Sequence, residues 1–400
     1  MKTSFFIIFL FLSCFAHAQW QYTHTFPNPI YAFITCSETL YVGLGGGGVY
    51  RSQDEGETWI AVNNGIQFGG AYIFSLTSRN DSIYAGGFGE VCFSEDEGEN
   101  WSLLNLNLSL NSFVYALIIK DNYLFAGVGN DNNNGVYRKQ LDAPGWTKMS
   151  NGMEENSSVN SFVIHDNKLF AGTDVGVYVS TNNGVDWNLA TNGIPPGLFV
   201  KSLYSIKGNI VAGTNDGIYF SANDGTSWQK ASGLPANSVV TCFTGNDNYA
   251  VAGTYQSAFF SSDKGVNWVN INEGLDSIVS FYSLTSLGDF VYAGTGAGIT
   301  TMNSVLKFDY NILSVFDDNI QEEWLIYPNP VSEELIIKMP VSSSERITVS
   351  VFDLTGKLLL SKVFDNYADI RINTFSMNQG LYILEIQYEE VTRRQKFVKN

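Results

Sequence analysis

Residues 52–59 read Ser-Gln-Asp-Glu-Gly-Glu-Thr-Trp, and the phrase returns as SEDEGENW at 94–101, STNNGVDW at 180–187, SANDGTSW at 221–228 and SSDKGVNW at 261–268. A degenerate copy, KQLDAPGW, ends at Trp146. A second phrase recurs upstream of these: LYVG, IYAG, LFAG, LFAG, IVAG, AVAG and VYAG, ending at Gly43, Gly86, Gly127, Gly172, Gly213, Gly253 and Gly294. The spacing is 40–45 residues throughout. That period suits one four-stranded blade of a β-propeller.

Counting back from each glycine needs no gap. Eleven residues earlier stand Ala32, Ser75, Ala116, Ser161, Ser202, Cys242 and Ser283, all small. Ten residues earlier stand Phe33, Leu76, Leu117, Phe162, Leu203, Phe243 and Leu284, all large and apolar. Columns of this kind describe an inner strand squeezed between neighbouring blades. Turn pairs Asn80-Asp81, Asp121-Asn122, Asp166-Asn167 and Asp247-Asn248 precede the glycines, and such residues tolerate the positive φ of a tight hairpin. Seven glycine phrases face only six Trp-terminated boxes. Trp20, thirty-nine residues before Trp59, supplies the seventh. Residues 20–24 are therefore expected to be the outer strand of a blade whose first three strands lie near 281–302, which would close the ring.

The chain has 400 residues and a formal net charge of −17. Residues 321–400 hold nine basic and eleven acidic side chains, so residues 1–320 carry −15. An acidic body repels phosphate backbones, which excludes nucleic acid as a partner. Lys2, the apolar run Phe5–Phe15 and Ala16-His17-Ala18 read as a secretory signal peptide over 1–18, too short to span a bilayer. Cys36, Cys92 and Cys242 remain after its removal, an odd and scattered set that reads as buried free thiols. No metal-ligand spacing or cofactor motif occurs, so neither metal nor cofactor is expected.

The boxes resemble the Asp-box (BNR, sialidase-like) repeat, also found in sortilin-like and photosystem-assembly-factor-like propellers, over roughly residues 20–303. The resemblance implies structural roles for Asp54, Gly56, Trp59, Asp96, Gly98, Trp101, Trp187, Trp228, Asp263, Gly265 and Trp268: carboxylates bonding backbone amides, glycines in a strained turn, tryptophans between sheets. The fold class expected is all-β: a seven-bladed propeller over 19–305, then a connector over 306–325. From Tyr327-Pro328-Asn329-Pro330 onwards, ELIIK, RITVSVFDLTGKLLL, DIRINTF, GLYILEI and a terminal KFVKN alternate as strands of a small immunoglobulin-like antiparallel sandwich. As a set these motifs resemble the type A C-terminal sorting domain of type IX secretion cargo in the Bacteroidota. The resemblance implies that residues 326–400 engage the type IX secretion machinery and that the protein is secreted or held at the outer-membrane surface. In that family the tail is often cleaved and some cargo becomes attached to lipopolysaccharide.

Function in a propeller sits in loops on one face. Chain direction puts the first hairpin turns and the boxes on one side. On the other lie Phe88, GNDNNNG at 129–135, Asp174, Asn215-Asp216 and Tyr255-Gln256. Twelve residues before each glycine stand Tyr31, Phe74, Tyr115, Asn160, Lys201, Thr241 and Tyr282, placed at the same mouth. Aromatics mixed with amides and carboxylates suit a glycan or peptide ligand. Interblade packing is the competing reading for any one of these aromatics. Sialidase chemistry needs an arginine cluster, and Arg51, Arg79 and Arg138 all fall on the wrong side. GNDNNNG lacks the closing glutamate of a calcium loop and reads as a polar turn. Two function classes remain: a non-catalytic binding scaffold for an extracellular ligand, and a glycoside hydrolase using Asp174 and Asp216. The sorting tail argues against a photosystem assembly role.

Overall fold

The computed structural model describes residues 20–67, 71–109, 111–272, 275, 279–296, 303–309, 325–327, 329–338, 346–365, 369–388 and 391–399. The signal-peptide expectation for 1–18 and most of the expected connector lie outside these residues. Residues 19–310 and 311–400 belong to different compact units. Every regular element among the described residues is a β-strand, and no helix there is long and apolar enough to cross a membrane.

In the first unit the described strands form seven four-stranded antiparallel sheets. Sheet one comprises Ile30–Cys36, Thr39–Leu44, Gly48–Ser52 and Ile60–Ala61. Sheets two to six begin with Ser75–Arg79, Phe113–Lys120, Val159–His165, Val200–Ile206 and Val240–Gly245. Sheet seven holds Ser280–Leu287, Phe290–Gly296 and Asn303–Asp309, and its fourth strand is Gln21–Phe26, in register from Gln21 opposite Lys307 to Phe26 opposite Asn303. The third strand thus lies beyond the expected 281–302 and takes in residues 306–309, assigned above to the connector. A longer link between Gly296 and Asn303 displaces it. The hairpin residues Asn80, Asp121, Asp166 and Asn167 do adopt positive φ. In sheet six the turn differs: Asn246 Oδ1 accepts the amides of Asn248 and Tyr249, so Asp247-Asn248 need no left-handed backbone.

The sheets pack through the glycine column. Thirteen residues before each glycine stands Ile30, Ile73, Val114, Val159, Val200, Val240 or Phe281, every one fully buried. Each packs on the glycine of the preceding sheet. A Cβ on Gly86 would lie 2.6 Å from Val114, on Gly127 2.7 Å from Val159, on Gly213 2.6 Å from Val240 and on Gly253 2.6 Å from Phe281. Gly43 meets Ile73 in the same way, and Gly294 of sheet seven meets Ile30 of sheet one. Only glycine leaves room for that approach. Side chains also reach across: Ser75 Oγ donates to Val114 O at 2.8 Å, and Ser283 Oγ to Ile30 O at 3.0 Å.

The octapeptide turns join the two outer strands. Ser52 Oγ accepts Gly56 N at 2.9 Å, and Asp54 Oδ1 accepts Thr58 N at 2.9 Å. Ser94 and Asp96 repeat this with Gly98 and Asn100, and Ser261 and Asp263 with Gly265 and Asn267. In two sheets Asn182 and Asn223 replace the aspartate and accept the same amide at 2.9 Å. The negative charge is therefore dispensable, which rules out a shared catalytic use. Hydrogen bonds from Thr58 and Ser52 hold the Asp54 carboxyl down to about 2. The tryptophans close the seams. Indole Nε1 of Trp101, Trp146, Trp187 and Trp228 donates to Val62, Leu104, Met149 and Ala190, each three residues past the preceding tryptophan. Trp20 does the same to Ile271 O at 2.8 Å, three residues past Trp268. Trp59 and Trp268 instead donate within their own turns, to Gly56 and Gly265. Cys36, Cys92 and Cys242 are buried and unpaired.

The second unit has two antiparallel sheets among its described residues: Leu325–Tyr327, Glu334–Lys338 and Asp369–Asn373 in one, Arg346–Phe352, Leu358–Asp365, Gly380–Tyr388 and Val391–Lys399 in the other. Leu335, Ile337, Ile370 and Ile372 of the first share a buried cluster with Val349, Val351, Leu384 and Phe397 of the second. The sequence motifs hold this unit's ends together. Asn329 Oδ1 accepts Val398 N at 2.8 Å and Val331 N donates to Val398 O at 2.7 Å, so the YPNP segment clamps the terminal strand.

The turn chemistry sets a stability ranking. Trp187, 2% exposed, should cost about 3–5 kcal/mol as Trp187→Ala. Asp96→Ala should destabilise far less than that, and Asp96→Asn should stay close to the parent. Denaturant unfolding measures all three, and a large loss in Asp96→Asn would restore a role for the charge.

Candidate ligand-binding site

The inner strands carry a second regularity. In six of the seven, the residue twelve before the glycine is the extra one of a β-bulge: the ladder skips from Ile30 to Ala32 past Tyr31, and likewise past Tyr115, Asn160, Lys201, Thr241 and Tyr282. A bulge leaves one residue out of the ladder and re-aims its side chain. The residue two beyond the glycine varies with it. Where the bulged residue is tyrosine, that position is Gly45, Gly129 or Gly296, and the ring lies on it. A Cβ on Gly129 would stand 2.8 Å from the Tyr115 ring, and one on Gly45 2.5 Å from that of Tyr31. Where that residue is Phe74, which is not bulged, or Asn160, Lys201 or Thr241, which are, the position carries Phe88, Asp174, Asn215 or Tyr255 instead.

These side chains surround a cavity of about 570 Å³. Tyr31, Phe74, Tyr115, Tyr255, Tyr282 and Asp174 line it, as do Asn160, Lys201 and Thr241. Asn130, from the GNDNNNG insertion expected at this face, also lines it, as do Phe113, Ser158 and Phe199, which the sequence reading does not single out. Phe88 stands behind the wall, 5.2 Å from Phe74 and 4.9 Å from Phe113 between ring centres. Asp216 is not in the lining: its carboxylate pairs with Lys230 Nζ at 2.6 Å and accepts Asn237 N at 3.1 Å. The two carboxylates expected to act together are therefore not brought together. A lysine across its own hairpin claims the second. The arginines are likewise engaged elsewhere. Arg51 pairs with Glu97 and Glu99, Arg79 donates to Asp121 O, and Arg138 to Asn183 O. In GNDNNNG, Asp131 accepts Ser109 and Ser112 hydroxyls, and Asn134 accepts the Asp131 amide.

The cavity has two unlike halves. Tyr255, Tyr282, Tyr31, Phe74 and Tyr115 follow one another as an aromatic arc, with centroids 5.7, 5.3, 5.7 and 5.9 Å apart. Their rings are part-exposed, Tyr255 the most at 38%. None of the four tyrosine hydroxyls has a hydrogen-bond partner among the described residues. Burial holds all four phenols above the usual tyrosine range, and neighbouring phenols add to it, Tyr282 on Tyr31 and Tyr255 on Tyr282. The other half is polar. Asn160 Nδ2 is committed to Val200 O and Thr241 Oγ1 donates to Phe281 O. Lys201 makes no ion pair with a described residue. Asp174 is half-buried with Oδ1 unpartnered, and desolvation pushes its carboxyl above the usual range. Among the described residues the lining offers one carboxylate, no imidazole and no thiol.

Comparison with known proteins agrees with the architecture. Residues 325–400 match the secretion system C-terminal sorting domain, and residues 114–273 match a β-propeller domain, DUF6242. No curated protein matches the chain. Among solved structures, the extracellular domain of the putative hybrid two component system BT4673 from B. thetaiotaomicron aligns at 13% identity with a TM-score of 0.60, covering 81% of this chain and 46% of that one. YCF48 bound to D1 peptide aligns at 14% and 0.57, covering 73% and 94%. YCF48 from Cyanidioschyzon merolae aligns at 15% and 0.55, covering 74% and 100%. The chain spans about half the length of the BT4673 domains it matches. The first unit is thus propeller-like and all-β. The sorting tail directs the protein by type IX secretion to the cell surface or the extracellular space.

Asp174 supplies a test of the site's cost to the fold. A carboxyl whose native pKa is raised ionises first in the unfolded chain, so stability present below its ordinary pKa is lost as pH rises through the native value. Asp174→Asn should therefore unfold later than the parent at pH 7, and the advantage should vanish near about pH 3. Unfolding midpoints across pH check this, and a destabilised Asp174→Asn would make Asp174 a structural residue.

Proposed function

We propose that residues 19–310 form a seven-bladed Asp-box propeller, closed by its N-terminal strand, whose mouth is a non-catalytic binding site for an extracellular saccharide. Residues 1–18 act as the signal peptide and residues 326–400 engage the type IX machinery. Support for closure is the pairing of Gln21–Phe26 with Asn303–Asp309 and the Trp20 bond to Ile271.

The observation that carries the binding reading is the set of four unpartnered phenols on a continuous aromatic arc. A pyranose presents an apolar C–H face and a rim of hydroxyls. Aromatic rings cover the first, and each phenol both donates to and accepts from the second. Asp174 and Lys201 add a strong acceptor and a strong donor on the opposite wall. The volume lies within the range of small-ligand pockets. A peptide is the second reading, because a propeller of similar fold, YCF48, has been solved with one. Hydrolysis is disfavoured, since glycosidases work with two carboxyl groups about 5–9.5 Å apart and Asp216 is held by Lys230 outside the lining.

Screening the exported protein on glycan and peptide arrays, then measuring affinity by calorimetry, tests this. Tyr115→Phe and Tyr282→Phe should each weaken saccharide binding by roughly 2–10-fold, and the alanine variants should abolish it. Binding only to peptides would replace the ligand class. Release of product sugars from a bound glycan would contradict the non-catalytic reading.

A further inference from the structure

At the end of its strand away from the mouth residue Asn160, the first hairpin of sheet four meets the octapeptide turn of sheet five. His165 ends the strand Val159–His165 and is 4% exposed. Its Nδ1 lies 2.8 Å from Ser205 Oγ on the neighbouring inner strand, which fixes the ring. Its Nε2 is buried without a hydrogen-bond partner. That nitrogen faces two carboxylates, Asp224 Oδ1 at 3.4 Å and Asp166 Oδ2 at 3.9 Å. The three ligand atoms all lie within 4.8 Å of one another.

These separations are too long for good hydrogen bonds and suit a shared ion. Four ligands placed tetrahedrally about 2.1 Å from Zn²⁺ are separated by about 3.4 Å. We propose that His165, Asp166 and Asp224 form a divalent transition-metal site, best suited to Zn²⁺, that pins sheet four to sheet five. Nε2 supplies the borderline ligand that a hard cation such as Ca²⁺ or Mg²⁺ does not favour. Ser205 orients the imidazole as an outer-sphere partner does in metal sites, and water completes the coordination. Lys168 Nζ, 2.9 Å from Asp224 Oδ2, holds that carboxylate by its other oxygen and leaves Oδ1 turned to the imidazole. The ligands bridge Asp166 and Asp224, 58 residues apart in sequence, so no short motif announces them.

The repeats supply variants that fold. Asn183 occupies the position of Asp224 in the preceding turn, also with positive φ, and Asn80 occupies that of Asp166 in an earlier hairpin. Asp224→Asn and Asp166→Asn therefore keep the backbone. Zn²⁺ should bind the mature full-length protein at one ion per chain by calorimetry and raise its unfolding temperature. Ca²⁺ should do neither. Both asparagine variants should weaken Zn²⁺ by at least about tenfold and lose the thermal shift, and Co²⁺ in the parent should show a visible spectrum that they lack. Absence of stoichiometric Zn²⁺ binding in the parent would overturn the site, leaving His165 as a buried imidazole held by Ser205 alone. An unchanged Zn²⁺ shift in both variants would overturn it equally, because the ion would then sit elsewhere.

Discussion

The first unit depends on one packing constraint: a glycine on the second strand of each sheet against a β-branched or aromatic residue on the first strand of the next. Backbone and side chain meet there at distances no Cβ could share. Because the contact is repeated at every seam described, it fixes sheet spacing and excludes independent drift of any one blade. The outer edges are locked by a second repeated contact, an indole N–H reaching a carbonyl of the neighbouring sheet. Both contacts pass between sheet seven and sheet one or six through Ile30 and Trp20, which is the physical content of the proposed ring.

The site grows from the same register. A buried residue thirteen before the glycine and a small residue eleven before it must both meet the ladder, so the residue between them is expelled as a bulge. Expulsion points it to the mouth whatever its chemistry. Sheets one, three and seven place tyrosine there over a glycine, sheet two places Phe74, and the other sheets place Asn160, Lys201 and Thr241. The scaffold therefore holds positions constant while the lining varies. Asp174 carries the cost of that freedom, as a half-buried carboxyl with an oxygen left unpartnered.

Much of this is legible in the sequence because the repeat aligns without gaps. The glycine phrases, the small column and the position of Trp20 lead directly to the sheets and to the pairing of residues 21–26 at the far end of the chain. The mouth column was readable by counting alone. Its bulge was not, since strand alternation puts the twelfth residue simply on the opposite face, although the unbroken Ile, Val and Phe column at thirteen was the available signal. Phe113, Ser158 and Phe199 each stand fourteen residues before their glycine, a column with no common chemistry to mark it. A loop position alone does not reveal that Lys230, fourteen residues after Asp216, folds back onto it. The third strand of sheet seven shifted for the same reason, as its link is longer than in other sheets. His165 and Asp224 escaped because their proximity arises only from the stacking of sheets.

The central claim is that the strand at residues 21–26 completes the last sheet of a ring and that the Trp20 indole seals its seam. Equilibrium denaturant unfolding of the chain beginning at residue 19, compared with one beginning at residue 27, tests it most directly. The account predicts a lower midpoint and a broader, less cooperative transition for the shorter chain, because both sheet seven and its contact with sheet six would be exposed. Coincident transitions with equal midpoint and slope would contradict it.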